Sequence, residues 1–450
     1  MKKSLPLLTL CMLLLVYSSN AQQKAAVAYS LADCVKYAYE HQDSVKNAEL
    51  DVKNADYKVK ETIGSGLPQV NGAISFQDYL KVPAQVGPDV FSGKPVDPEA
   101  PLVKFPFGPT VYTNTFALQA SQLLFSGTFI VGLQAVKTFK ELYQRSLTRS
   151  KIEANVNVTK AYYQVLVSGE QVKLLDINIK QLKEQVDQTA ASNKQGFVEK
   201  IDVDRITVQY NNLVTNRENV ARAIVLYMQM LKFQMGMPID QELTLTDKLS
   251  DVRLDQQAAN VTDTTFYHNR IEYNLLETNL KLNQLDVKDK KAAFLPVVVL
   301  NGGYGGSFVE NHFKYLYNNF YANGFIGLGV NIPIFSGFQR SYQLKQSRIN
   351  VIKAQNELEN AKNGFALQAN AARITFYNSI QSLNNQKRNQ ELANEVLRVS
   401  KIKYQQGVGS SIEVTQAQGA LETADNQYIQ SLYDAVVNKV NLDKAYGKIN

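Results

Sequence analysis

The chain has 450 residues, with 48 Lys and Arg against 41 Asp and Glu and a formal charge of +7. The basic residues are spread along periodic segments, which excludes the clustered footprint that nucleic-acid binding requires. His41, His268 and His312 have no Cys or acidic neighbours at metal-site spacing, so no metal centre or other cofactor is expected.

The first residues read as a secretory signal. Lys2 and Lys3 precede an apolar run from Leu5 to Val16 and a small-residue site at Ser19-Asn20-Ala21, so residues 1–21 are expected to be removed on export. Cys11 is not a lipidation site, because Leu10 precedes it and the apolar run continues past it. Cys34 is then the remaining cysteine, a small side chain on the apolar face of a first helix over 30–63. Two alternating segments follow, around Val70–Gln77 and over 111–125, separated by a proline-rich stretch at 84–109 suited to a stiff, irregular cover. A very long helix is predicted from about 129 to 195, then a glycine turn and a return helix over 198–235.

The order then repeats. Leu67-Pro68 returns as Leu295-Pro296, Phe125-Ser126-Gly127 as Phe335-Ser336-Gly337, and Gln195-Gly196 as Gln406-Gly407. Two large copies of one unit are a duplicated architecture rather than a solenoid. The first copy is assigned to 22–235, an inter-repeat linker to 236–262 and the second copy to 263–450. In the second copy the alternating segments lie around Val298–Phe308 and over 322–335, the long helix over 338–405, and the loop at 309–321 is aromatic.

Proline is absent from 110–237 and from 334–450, which permits helices of nearly 67 residues, or about 100 Å at 1.5 Å per residue. Val172, Leu175, Ile179, Leu182 and Val186 mark a coiled-coil seam, and Leu392, Val396 and Val399 continue the spacing in the second copy. The return helix, placed end to end with the first helix, matches the long one in length. This pattern predicts a helical barrel wall.

The alternating segments each have one apolar face. Val70, Ile74 and Phe76 oppose Asn71, Ser75 and Gln77; Phe116, Leu118 and Ala120 oppose Thr115, Gln119 and Ser121. Val298, Leu300, Tyr304 and Phe308 oppose Asn301, Gly303 and Ser307, and Ile326, Leu328 and Val330 oppose Gly327, Gly329 and Asn331. A transmembrane β-barrel and a half-buried soluble sheet both fit this alternation. No stretch after the signal reaches the roughly 20 apolar residues of a transmembrane helix. If the strands enter lipid, four of them cannot close a barrel, so several chains must share one.

With Leu31-Ala32-Asp33, Leu67-Pro68, the paired Phe-Ser-Gly turns and the duplicated tips Gln195-Gly196-Phe197 and Gln406-Gly407-Val408, the chain resembles the TolC-type outer membrane efflux proteins over nearly all of its mature length. The resemblance implies a mixed α and β membrane protein. Its long antiparallel coiled-coil barrel stands on four transmembrane strands per chain, which complete a 12-stranded barrel as a homotrimer in the outer membrane and extend into the periplasm. It implies passive conduction of cargo delivered by an inner-membrane pump, with a periplasmic adaptor docked on tips at Gly196, Phe197, Gly407 and Val408. It also implies a periplasmic gate at Asp202, Tyr404 and Glu413, with Asp202 and Tyr404 hydrogen-bonded across helices and three copies of Glu413 forming an acidic ring that concentrates cations. The chain departs from the family pattern at Gly409, where a basic lock residue is expected, and at Gln416, where a second acidic ring is expected. Residues 236–262 would join a collar around the tunnel.

Two other readings stand beside this one: a duct for type I protein secretion, and a periplasmic coiled-coil adaptor or adhesin without a pore. An adaptor would carry one hairpin and no lipid-facing strands. An enzyme is not expected, since Asn301-Gly302-Gly303-Tyr304-Gly305-Gly306, superficially a phosphate loop, sits in an alternating segment with no helix after it. Cargo identity is left to the pump.

Overall fold

The structure is a computed structural model that describes residues 27–249 and 265–449, apart from 85, 91, 92, 94, 96, 97 and 105–108. The predicted signal at 1–21, part of the 84–109 cover and residues 250–262 of the linker lie outside the described residues.

In chain order the elements are β1 (Val27–Tyr29), α1 (Leu31–His41), α2 (Asp43–Gly64), β2 (Gln69–Asp78), β3 (Val86–Gly87), β4 (Val103–Lys104), β5 (Tyr112–Phe125), α3 (Gly127–Lys194) and α4 (Lys200–Met235). The linker holds β6 (Leu243–Leu245), and the second copy follows with α5 (Ile271–Ala292), β7 (Val297–Glu310), β8 (Phe320–Asn331), α6 (Gln339–Gln405) and α7 (Ser411–Ala445). The two proline-free stretches thus form uninterrupted helices of 68 and 67 residues. Two compact units emerge, one of residues 1–52, 143–277 and 356–450, the other of 53–142 and 278–355. Each unit draws on both copies.

In the second unit, β2, β5, β7 and β8 form one antiparallel sheet in that order. Its register carries the sequence pattern across all four strands. Ile74 lies opposite Phe116, Leu118 opposite Tyr304, Leu300 opposite Leu328 and Val298 opposite Val330. Directly opposed residues share a face, so a single apolar face results. The other face carries Ser75 opposite Thr115, Asn71 opposite Gln119 and Asn301 opposite Gly327. On the apolar face Ile326 is 85% exposed, and Ile74, Tyr304 and Leu328 are also open. The segment 301–306 lies inside β7 as expected. The last strand stops at Asn331 rather than reaching Phe335, because Pro333 has no N–H to donate to a ladder. Among the described residues, β2 and β8 each have one neighbour and one open edge.

In the first unit, the predicted single helix over 30–63 is two helices. The chain breaks at Gln42, whose backbone is extended and whose side-chain oxygen accepts from the Val45 N–H at 3.1 Å, capping α2. The cause is the return helix α4, which ends there. Gly236 closes α4 with φ +70°, and a Cβ on it would lie 2.6 Å from the His41 carbonyl oxygen. The second copy repeats the device. Gly447, at φ +65°, follows α7, and a Cβ there would lie 2.7 Å from the Asn269 backbone, just ahead of α5. α2 begins where α4 ends, while α1 packs beside the last turns of α4, placing Cys34 and Ala38 against Leu231 and Met235. Cys34 is fully buried there, and burial pushes its thiol up to about 12, leaving it inert. Strand β1 pairs in parallel with β6 beside this cluster.

Gly236→Ala and Gly447→Ala should each destabilise the fold by at least about 1–3 kcal/mol through a left-handed backbone with a side chain attached. Gly169→Ala, in α3 with open space around it, should be neutral or stabilising by up to about 1 kcal/mol. Thermal melting followed by circular dichroism checks the contrast.

Candidate functional site at the helical tips

Both hairpin turns are built on a left-handed glycine. Gly196 has φ +79° and Gly407 φ +74°, a conformation a side chain disfavours. In the first turn the Phe197 N–H donates to the Ser192 carbonyl at 3.0 Å, and Asn193 Nδ2 donates to the Val198 carbonyl at 2.7 Å. The second turn mirrors it, with the Val408 N–H donating to the Lys403 carbonyl at 3.0 Å. Each turn pushes one apolar side chain outward, Phe197 at 79% and Val408 at 78% exposure.

Within a hairpin, the helices are held by apolar packing. Leu175 and Leu182 of α3 close on Ile206 and Leu213 of α4, as the seam predicts. In the second hairpin Leu397 of α6 packs on Val414, Ala417 and Leu421 of α7. Leu392, Val396 and Val399, expected to continue the seam, are instead on the open side of α6. They belong to an apolar face that its own hairpin does not cover.

Between hairpins, hydrogen bonds recur from the tips upward. Ser411 Oγ donates to Asp202 Oδ1 nearest the tips, Gln209 Nε2 donates to the Thr415 carbonyl at 3.0 Å, and Asn178 Nδ2 donates to Asp425 Oδ2 at 2.6 Å. Gln171 and Asn426 are joined at 3.2 Å. Asp425 is 7% exposed and accepts a second amide from Gln390 at 2.7 Å, so one carboxylate ties α3, α6 and α7 together. Gln185, Gln209, Thr415 and Gln418 each keep a buried polar atom without a partner. This interface is satisfied at points rather than throughout.

The three expected gate residues, from distant parts of the sequence, lie on the helices next to the two turns. Asp202, in the first turn of α4, takes Ser411 as its hydrogen-bond donor and lies 3.5 Å from Arg205. Tyr404 does not bond to it: its buried hydroxyl faces the Thr189 side chain instead. Burial, with the Asp202 charge behind it, pushes the Tyr404 phenol up. Glu413 is exposed in the first turn of α7, where its backbone N–H is capped by Ser410 Oγ at 3.2 Å and the helix dipole favours its charge. Between α3 and α6 lies a cleft of about 720 Å³ lined by Glu184, Gln185, Thr189, Lys401 and Tyr404. Burial there pulls the Lys401 ammonium down, opposed by the Glu184 charge.

Residues 275–448 match the family model of the outer membrane efflux proteins. The outer membrane protein TolC of Salmonella enteritidis is 23% identical over 344 residues, covering 74% of this chain and 69% of that protein. A probable efflux pump outer membrane protein, TtgC of Pseudomonas putida, is 23% identical over 342 residues, covering 75% and 69%. Among solved structures, CusC superposes with a TM-score of 0.74 over 95% of both chains at 15% identity, which establishes a common fold.

Asp425→Ala should strand the buried Asn178 amide and the half-buried Gln390 amide and cost about 2–4 kcal/mol. Tyr404→Phe, which removes a hydroxyl that faces at most the Thr189 side chain, should cost no more than about 1 kcal/mol. Equal losses in both variants would show that Tyr404 has a partner after all.

Proposed function

We propose that this chain is a TolC-type outer membrane efflux protein that works as the exit duct of a tripartite pump, three copies closing one channel. The observation that carries the reading is the sheet of the second unit: an apolar face open on every strand and two unpaired edges. Exposed backbone N–H and C=O groups are not tolerated in hydrocarbon, so β8 of one copy pairs with β2 of the next until the ring closes. Four strands per chain and three chains give 12 strands. The uncovered apolar face of α6, with Leu392 and Val396, supplies a helical contact between copies.

The protein lies in the outer membrane and extends into the periplasm, and it is a channel, not an enzyme. Two hairpins and four strands also exceed what a pore-free adaptor carries. Work is done by an inner-membrane pump, and a periplasmic adaptor meets the outward side chains Phe197 and Val408 beside Gly196 and Gly407. Opening separates hairpins rather than the helices within them. Apolar seams hold each hairpin, whereas the contacts between hairpins are hydrogen bonds that water replaces at small net cost. Asp202 latches the closed state through Ser411, and three copies of Glu413 gather cations at the constriction.

Purified protein should migrate as a heat-modifiable trimer and conduct ions across a planar bilayer. Glu413→Ala should weaken block by divalent cations, and Asp202→Ala and Ser411→Ala should both raise resting conductance. Tyr404→Phe should not. A water-soluble monomer without current would end this reading, and the class of pump that copurifies, or the substrate that accumulates on deletion, separates efflux from protein secretion.

A further inference from the structure

The helix segments of the second unit are strongly basic where the rest of the chain is not. Residues 53–64, 127–142, 278–292 and 339–355 hold thirteen Lys and Arg and five Asp and Glu, a balance of +8 against +7 for the entire chain. All four segments join the same end of the sheet. α5 ends five residues before β7, and α3 begins two residues after β5. The acids there are engaged with Lys neighbours, as in Lys140–Asp56 at 2.7 Å and Lys290–Asp286 at 3.5 Å. Lys288, Lys291, Arg340 and Lys345 have no carboxylate partner among the described residues.

Helix stability accounts for Lys291 in the last turn of α5 but not for the cations that open α6. Positive charge at a helix N-terminus is unfavourable, yet α6 opens with Arg340, then Lys345, and has no acid in its first turn. The residues just before them are apolar and open. Ile334 is 92% exposed, and Phe335 and Phe338, stacked edge to face at 5.5 Å, are exposed as well. Lys345 lies over the Tyr342 ring at 5.3 Å. Apolar strand, exposed aromatics and then unpaired cations is the order of a membrane boundary met from the hydrocarbon side.

We propose that this basic collar binds the anionic phospholipid headgroups of the leaflet that faces the helices, seating the barrel at a fixed depth. The inference rests on the membrane reading of the sheet given above. A Lys or Arg within a Debye length of an anionic surface gains about fivefold in binding, and the effect fades with salt. Threefold assembly multiplies four such side chains into a ring.

The test uses the intact trimer in detergent, mixed with phosphatidylglycerol and phosphatidylethanolamine, with retained lipid counted by native mass spectrometry. Wild type should prefer phosphatidylglycerol by at least about tenfold at low salt, and the preference should fall below about twofold in 0.5 M salt and in K288Q/K291Q/R340Q/K345Q. The arginine-for-lysine version should keep it, as should K180Q/K194Q/K387Q/R388Q, which removes charge from the other unit. Equal retention of both lipids by wild type overturns the proposal and needs no variant. So does a quadruple variant that alters ion selectivity but not lipid preference, which would place these side chains in the lumen. A trimer that conducts but shows no lipid preference refutes the collar alone, whereas a chain that forms no channel removes the functional reading beneath it.

Discussion

The fold depends on the two open edges of its sheet. A strand edge in water is solvated, but in hydrocarbon each unpaired N–H or C=O costs several kcal/mol. The ladder from β2 to β8 pairs ten, thirteen and twelve residues across its three interfaces, with a bulge at Leu124, and leaves the outermost strands open on one side. With the apolar face continuous across all four strands, water cannot satisfy those edges without exposing that face. Other copies of the same chain can do both at once.

The helical part divides labour in a complementary way. Apolar side chains are spent inside hairpins and polar ones between them. Separating Leu182 from Ile206 would expose core surface, while parting Ser411 from Asp202 exchanges one hydrogen bond for another to water. A channel that opens by parting hairpins, as proposed above, needs this inequality. Asp425 complicates it: a buried carboxylate shared by Asn178 and Gln390 costs more to break than an exposed link, because all three groups lose their partners. Motion concentrated between Asp425 and the tips, where buried polar atoms of Gln185 and Gln418 already lack partners, strains the structure least.

Much of this was legible in the residues. Alternation in Val70–Phe76 and Ile326–Val330 set the faces, because a side-chain period of two survives any choice of partner strand. Proline-free length set the long helices, and Gly196 and Gly407 set the turns. Less local features were hidden. The break at Gln42 arises from Gly236, nearly two hundred residues away, and no periodicity in 30–63 announces it. Leu392 and Val396 have the spacing of a seam but not its partner, since a periodic stripe says that a face is covered without saying by what. Asp202 lies beside Tyr404 in space yet bonds Ser411, a choice made by side-chain rotamers that sequence order does not encode. Asp425 looked like any acid on a helix. Its amide partners, Asn178 and Gln390, come from two other helices.

The central claim is that β8 of one copy completes its ladder on β2 of another. In a chain with Cys34 replaced by alanine, cysteines placed at Asn71 or Ser75 on β2 and at Asn323 or Gly327 on β8 report that pairing directly under oxidation. The account predicts that at least one combination locks a covalently closed species of three chains, dissociating to monomers only on reduction. Crosslinks that stop at dimers, or that form within a single chain, would contradict it.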